Sequence, residues 1–410
     1  MNYTGYLFLS RKNAAKYLLC LLSLLLFSHT IKAQSTYTKI ADLNYANDTL
    51  ISHRLDLYLP DGATAPLPVI VWVHGGGWAI GSKELMATDY QLRYPRNGYA
   101  LVSINYRLSG QAIFPAQIHD SKAAIRWIRA NAAQYNLDPT RIGVWGSSAG
   151  GHLVALLGTS NDVIDMEGSV GANLQYSSRV QAVVDWFGPT DFLQMDMQAI
   201  AQGCGGSNHD SPGSPESVLV GCAIQSCPTA VQRANPLTYF TRDDPPFFIQ
   251  HGNADCTVPR GQSQILQTLM QTAGHDSSLT LIPGAGHGGT QFSAESNMLL
   301  LDAFFTAKLR NSFSPLVNSI KIYRKKSEVT FFRAGSVGSI YRIVLNGANF
   351  QNNAKVLING VEKGVTLTTS NEITVNGLIG RIPASGVINV QVKNSNGSYS
   401  NIFRPEIRAE

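Results

Sequence analysis

Charged side chains are scarce in this chain. They make up 14% of its 410 residues, whereas 44% are hydrophobic. That balance excludes a disordered polyelectrolyte and leaves apolar mass for one large domain and a smaller one. Acidic residues are missing from the first 33 positions, which carry Arg11, Lys12, Lys16 and Lys32. The apolar stretch there, Tyr17 to Phe27, falls short of the ~20 residues of a spanning helix. A basic start, a short apolar run and Ile31-Lys32-Ala33 predict a secretory signal peptide cut after Ala33. Cys20 lacks the small residue that precedes a lipidated cysteine, although a retained anchor is the alternative. The expectation is a secreted or periplasmic protein with no membrane contact after cleavage. Oligomeric state is not readable.

The basic excess is equally thin. Without those four basic residues, 28 Lys+Arg face 27 Asp+Glu, so the charge gives no reason to expect a nucleic-acid partner. What charge remains is unevenly placed: residues 314–410 carry 12 basic and 5 acidic residues, residues 34–313 carry 16 and 22. Such a step marks a domain boundary; a solvated basic face explains the tail's charge, and docking or an acidic polymer are alternatives. Cysteines are few. The four that remain after export, Cys204, Cys222, Cys227 and Cys256, match no zinc spacing, so no metal or cofactor is expected. An even count in an oxidising compartment predicts two disulfides among three possible pairings. Cys222 with Cys227 is favoured because the two are local, which leaves Cys204 with Cys256.

Glycine, by contrast, is placed where chemistry needs it. The apolar run Ile142 to Trp145 meets Gly146-Ser-Ser-Ala-Gly150 and passes into a helical pattern, the strand–turn–helix context of a nucleophile elbow with Ser148 at its tip. A buried strand, Pro68 to Val73, leads into His74-Gly-Gly-Gly-Trp78. Gly76 and Gly77 there, with Ala149 at the start of the elbow helix, are the expected oxyanion donors. His74 is expected to hold that loop. The strand Pro246 to Gly252 is followed by Asp255, and a glycine-rich loop after the strand ending at Ile282 presents His287. The order Ser148, Asp255, His287, each just beyond a strand, is that of an α/β-hydrolase triad. A serine hydroxyl needs an imidazole to take its proton, and the imidazole needs a carboxylate to fix its tautomer. Asp191 is the alternative acid; Asp243 and Asp244 precede their strand, at its wrong end. His119, His152 and His251 sit on helices or a strand end and are expected to be structural. Residues 191–234, rich in Gly, Ser, Pro and Asn, are expected to form a disulfide-pinned cap beside the pocket, or a stapled surface excursion.

His74-Gly-Gly-Gly-Trp78, Asn105-Tyr-Arg-Leu108, Phe114-Pro115, Gly146-x-Ser-Ala-Gly-Gly-His152, Asn235-Pro236, His251-Gly-x-x-Asp255 and Gly286-His-Gly288 together resemble exported bacterial esterases similar to bifunctional acetylxylan/feruloyl esterases, in the hormone-sensitive-lipase-like branch. Ser147 stands where that branch usually has an acid. The resemblance implies a serine carboxylesterase on acetyl or feruloyl groups of plant cell-wall polysaccharides, acting through an acyl-enzyme without metal. A general short-chain esterase, a peptidase and a non-catalytic adhesion protein are the alternatives.

Beyond Pro315 no Cys, His, Trp or Asp occurs. Short apolar strands at 340–345, 355–358, 372–375 and 387–392, parted by Asn-Gly and Ser-Gly turns, predict a small all-β immunoglobulin-like sandwich. Leu345-Asn-Gly-x-x-Phe350 and Pro383-x-x-Gly386 resemble IPT/TIG modules. A spacer, a carbohydrate-adhesion module and a secretion-sorting tail are its candidate roles. The expected organisation is a signal peptide at 1–33, a catalytic α/β-hydrolase domain with a mostly parallel sheet at 34–313, and the sandwich at 314–410.

Overall fold

The computed structural model describes residues 37–310 apart from 65 and 207, and, further on, residues 316–324, 327–329, 332–333, 340–351, 353–359, 361–363, 365–379, 388, 390–394 and 407–408. The 1–33 segment and the Pro383 to Gly386 piece lie outside them.

Runs of β-branched and aromatic residues form β1 (Tyr37–Asn44), β2 (Arg54–Pro60), β3 (Leu67–Val73), β4 (Ala100–Ile104), β5 (Leu137–Ser147), β6 (Ala182–Trp186), β7 (Phe247–Gly252) and β8 (Ser277–Ile282). They join in the order β1-β2-β4-β3-β5-β6-β7-β8. β1 and β2 enter antiparallel, and every pair from β4 to β8 is parallel. This is the α/β-hydrolase fold with its mostly parallel central sheet. Parallel strands need crossovers on both faces, so the inner strands are apolar on both sides. In β3 all seven residues are buried; Val69, Val71 and Val73 enter one core, Ile70 and Trp72 the other. The first core takes Ile118, Ala124, Ile125 and Ile128 of α1 (Ala116–Ala130) and Leu153 to Leu157 of α2 (Ala149–Thr159). Across the second, Trp72, Trp145 and Trp186 of β3, β5 and β6 meet edge to face with centroids 4.8 Å apart. Such pairs add about 0.5–1.5 kcal/mol each beyond area burial, and they brace the three strands that carry the oxyanion loop, the elbow and its neighbour.

The 191–234 segment is more regular than its composition implies. It folds into α3 (Met195–Gln202), α4 (Pro215–Val220) and α5 (Pro228–Ala234) with short 3-10 turns between. Capping explains this. Ser214 accepts from the N–H of Ser217 with Pro215 at the first helical position, and Gly203 and Gly221, at φ 83° and 81°, end α3 and α4. Cys204 is bonded to Cys256 and Cys222 to Cys227, the two expected pairings. Helix α6 (Gly261–Thr272) and helix α7 (Glu295–Phe305) flank the last strands.

In the C-terminal region, Leu316–Arg324, Ile340–Ala348 and Glu372–Ile379 form the middle of a five-stranded antiparallel sheet, and Lys355–Ile358 the middle of a three-stranded one. Ile343, Ile373 and Val375 of the first sheet share a core with Val356, Val390 and Val392 of the second. The strand Leu316–Arg324 was not among those expected. It begins directly after the Ser314-Pro315 break, where a proline-marked linker reads as the end of order rather than the start of a strand.

Candidate active site

The turn between β5 and α2 is possible only with glycine on both sides of the serine. A Cβ on Gly146 would sit 2.3 Å from the carbonyl oxygen of Gly150, and one on Gly150 would sit 2.1 Å from that of Val73. Ser148 takes φ 56° and ψ −123°, a conformation that costs a non-glycine residue roughly 1–3 kcal/mol. Its N–H donates to Trp186 O at 2.9 Å, which ties the strained turn to β6.

β5, β7 and β8 end at the same sheet edge, and their loops bring three side chains together. The Ser148 hydroxyl donates to His287 Nε2 at 2.8 Å, and His287 Nδ1 donates to Asp255 Oδ2 at 2.7 Å. Only N–H can face a carboxylate at that distance, so the other ring nitrogen is left as the acceptor of the serine proton. Asp255 Oδ1 accepts from the N–H groups of Thr257 at 2.8 Å and Val258 at 3.0 Å. Burial pushes the Asp255 carboxyl up, but His251 and His287 beside it hold it well below the usual carboxylate range. His251 Nε2 lies 3.3 Å from Asp255 Oδ2 and donates to Val258 O at 2.8 Å, while its Nδ1 meets Ser263 Oγ at 2.7 Å. His251 is thus structural, yet it backs the acid from behind, a contact that spacing in the chain does not reveal. The Phe187 ring packs 4.7 Å from the His287 ring.

Gly76 and Gly77, at φ 108° and 57°, turn the loop after β3 toward the elbow. A Cβ on Gly76 would lie 2.2 Å from Ile80 O. Gly76, Gly77 and Ala149 line one cleft of about 550 Å³ with Ser148 and His287, and the N-terminus of α2 opens onto it, where its dipole favours negative charge. His74 stacks on Tyr106 with centroids 4.4 Å apart and donates to Gly75 O at 2.8 Å. Burial pushes its pKa down to about 4, so it holds the loop as a neutral ring.

The remaining candidates are committed elsewhere. His152 donates to Ala234 O at 2.7 Å and accepts from Trp78 Nε1 at 3.2 Å; burial lowers its pKa to about 4. His119 donates to Asp165 O. Asp191 accepts from the Leu193 N–H, Gln194 and Asn235, capping the turn before α3. Asp243 and Asp244 both accept from Thr241. Asp42, Asp56 and Glu84 come close enough to share a cation, but the ammonium groups of Lys39 and Lys83 each reach Asp56 at 2.7 Å and offset most of the group's charge. Sequence reasoning did not find His209 and Glu216, two cap residues that also line the cleft.

Residues 55–270 match the BD-FAE family. Among curated proteins the chain is similar to Esterase LipC of Mycobacterium tuberculosis, 34% identical over 232 residues that cover 56% of this chain and 54% of that one. It is similar also to Esterase LipQ of the same organism, 33% identical over 54% of this chain and 50% of that one. The chain thus spans about half the length of the curated relatives it matches. Among solved structures, a truncated form of a carbohydrate esterase from gut microbiota superposes with a TM-score of 0.62 at 38% identity, covering 68% of this chain and 99% of that one.

Proposed function

The chain belongs to the BD-FAE family of α/β-hydrolase esterases, and on that footing we propose that it is a carboxylic ester hydrolase with Ser148 as nucleophile, His287 as general acid–base and Asp255 as the orienting carboxylate. The observation that carries this reading is the unbroken line Ser148 Oγ to His287 Nε2 at 2.8 Å and His287 Nδ1 to Asp255 Oδ2 at 2.7 Å. Ser148 attacks the ester carbonyl as its proton passes to His287 Nε2. The imidazolium is steadied by Asp255, and the oxyanion by N–H groups of Gly76, Gly77 and Ala149. The tetrahedral intermediate collapses, the alcohol leaves with the proton from His287, and water repeats the sequence on the acyl-enzyme. The favoured substrates are acetyl or feruloyl esters of plant polysaccharides. That preference is supported by the likeness to a structure described as a carbohydrate esterase.

The proposal extends to the chain's organisation: an export signal at 1–33, secretion or passage to the periplasm, a catalytic domain at 34–313, and an immunoglobulin-like sandwich at 314–410 that serves in polysaccharide adhesion. Two disulfides support the oxidising compartment. The test is turnover of p-nitrophenyl acetate, methyl ferulate and acetylated xylan by the wild type and by Ser148→Ala. Loss of at least about 10³ in kcat on Ser148→Ala is expected; turnover that survives it rules the assignment out. Deleting 314–410 tests adhesion through retention on insoluble xylan.

A further inference from the structure

Outside the triad, two ionisable side chains line the cleft, His209 and Glu216. Both belong to the segment between the disulfide cysteines Cys204 and Cys222. His209 Nδ1 stands 3.2 Å from Glu216 Oε1, and the side chains are 13% and 5% exposed. Neither is a loose surface group. Asp196 of α3 accepts from the backbone N–H of His209 at 2.8 Å and of Asp210 at 3.0 Å, which fixes the turn. Pro215 and the Ser214 cap start the helix that carries Glu216.

Glu216 Oε2 is buried with no hydrogen-bond partner among the described residues. A carboxyl oxygen left in that state is unfavourable until a donor reaches it. The nearby walls, Trp78, Phe187, Pro189, Pro215 and Val258, are apolar, so the pair is a polar interruption in a greasy cleft. Burial works against charge on His209, but Glu216, with Asp196 and Asp210 near by, holds its pKa above the ordinary imidazole value and favours the cation. An acceptor and an imidazole donor side by side match neighbouring hydroxyl groups, each of which both donates and accepts.

We infer that Glu216 and His209 form a hydroxyl-reading subsite, Glu216 Oε2 accepting from one substrate hydroxyl while the His209 ring donates to an adjacent oxygen. The inference rests on the proposed esterase reading of this cleft. The hydroxyl has two possible sources, a sugar on the alcohol side or a phenol on the acyl side, and the assay separates them.

The measurement is kcat/KM of wild type, Glu216→Ala, Glu216→Gln and His209→Gln on acetylated xylo-oligosaccharide, p-nitrophenyl acetate, methyl ferulate and methyl cinnamate. If the source is a sugar, the ratio of xylo-oligosaccharide to p-nitrophenyl acetate falls about tenfold in Glu216→Ala, chiefly through KM, the size of one charge-assisted hydrogen bond. With a phenolic source the ratio of methyl ferulate to methyl cinnamate falls instead. Glu216→Gln, which keeps the side-chain size and an acceptor, shows a smaller change and replaces Glu216→Ala if that variant does not fold. Both ratios unchanged across the variants overturns the subsite. Turnover of p-nitrophenyl acetate that persists in Ser148→Ala overturns the esterase reading itself, a separate outcome.

Discussion

Cys204, just past the end of α3, is covalently joined to Cys256, the residue that follows the carboxylate Asp255. Two hydrogen bonds of one side chain tie the same places: Gln202 Nε2 donates to Asp255 O at 2.5 Å, and Gln202 Oε1 accepts from the N–H of Arg260 at 3.1 Å. The acid-bearing loop and the cap are therefore one unit, and the residue next to Asp255 is held by a partner 52 positions away.

Removing this bridge should cost both stability and turnover. In the chain-entropy picture a loop of 52 residues is worth about 4 kcal/mol and one of five about 2 kcal/mol. The double change Cys204→Ser, Cys256→Ser is expected to lower Tm more than Cys222→Ser, Cys227→Ser and to reduce kcat toward p-nitrophenyl acetate at least about tenfold. Equal effects of the two pairs would show that the clamp on Asp255 has no special role.

Asp255→Asn keeps the shape of the acid but can donate to His287 Nδ1, which favours the wrong ring tautomer. A drop in kcat of about 10⁴ with KM little changed is expected, the scale of the same change in serine proteases. Steady-state kinetics on a small ester decides it; a loss under tenfold would remove Asp255 from the mechanism.

Gly150→Ala should fail as a fold before it fails as an enzyme. Its Cβ would lie 2.1 Å from Val73 O, whereas nothing lies within 4 Å of a Cβ on Gly205. A loss of about 2–4 kcal/mol is expected for the first and within about 0.5 kcal/mol for the second, read from urea midpoints.

His152 makes part of the stability depend on pH. Its pKa is lowered from 6.5 to about 4 in the folded state, so the unfolded chain binds the extra proton between those values. Its contribution is complete above pH 6.5 and is lost as pH falls toward 4. His152→Gln is expected to be less stable than wild type at pH 7, with the gap narrowing by about 2 kcal/mol at pH 5. Denaturation at the two pH values checks it, and a constant gap would mean the ring is not held neutral.

The sheet and the meeting of Ser148, Asp255 and His287 were legible because each rests on local signals: β-rich runs, glycines that a sharp turn requires, and a polar residue just past a strand. The cap was legible as a special segment but not as helices, since α3, α4 and α5 are six to eight residues long and too short to show a full apolar period. His251 behind Asp255 and the His209–Glu216 pair were not legible as partners. Each pair lies within a few residues of one stretch of chain, but the partners meet through the path of an irregular turn, which no helical or strand spacing encodes.

Ser148 and His287 are 139 positions apart in the chain and 2.8 Å apart in space. Between them lie the crossovers that add β6, β7 and β8 to the sheet, so no fragment that lacks those strands can bring the two side chains together. Ester cleavage should therefore emerge late during refolding, after the parallel strands have closed, and would serve as a clock for completion of the sheet rather than for its first collapse.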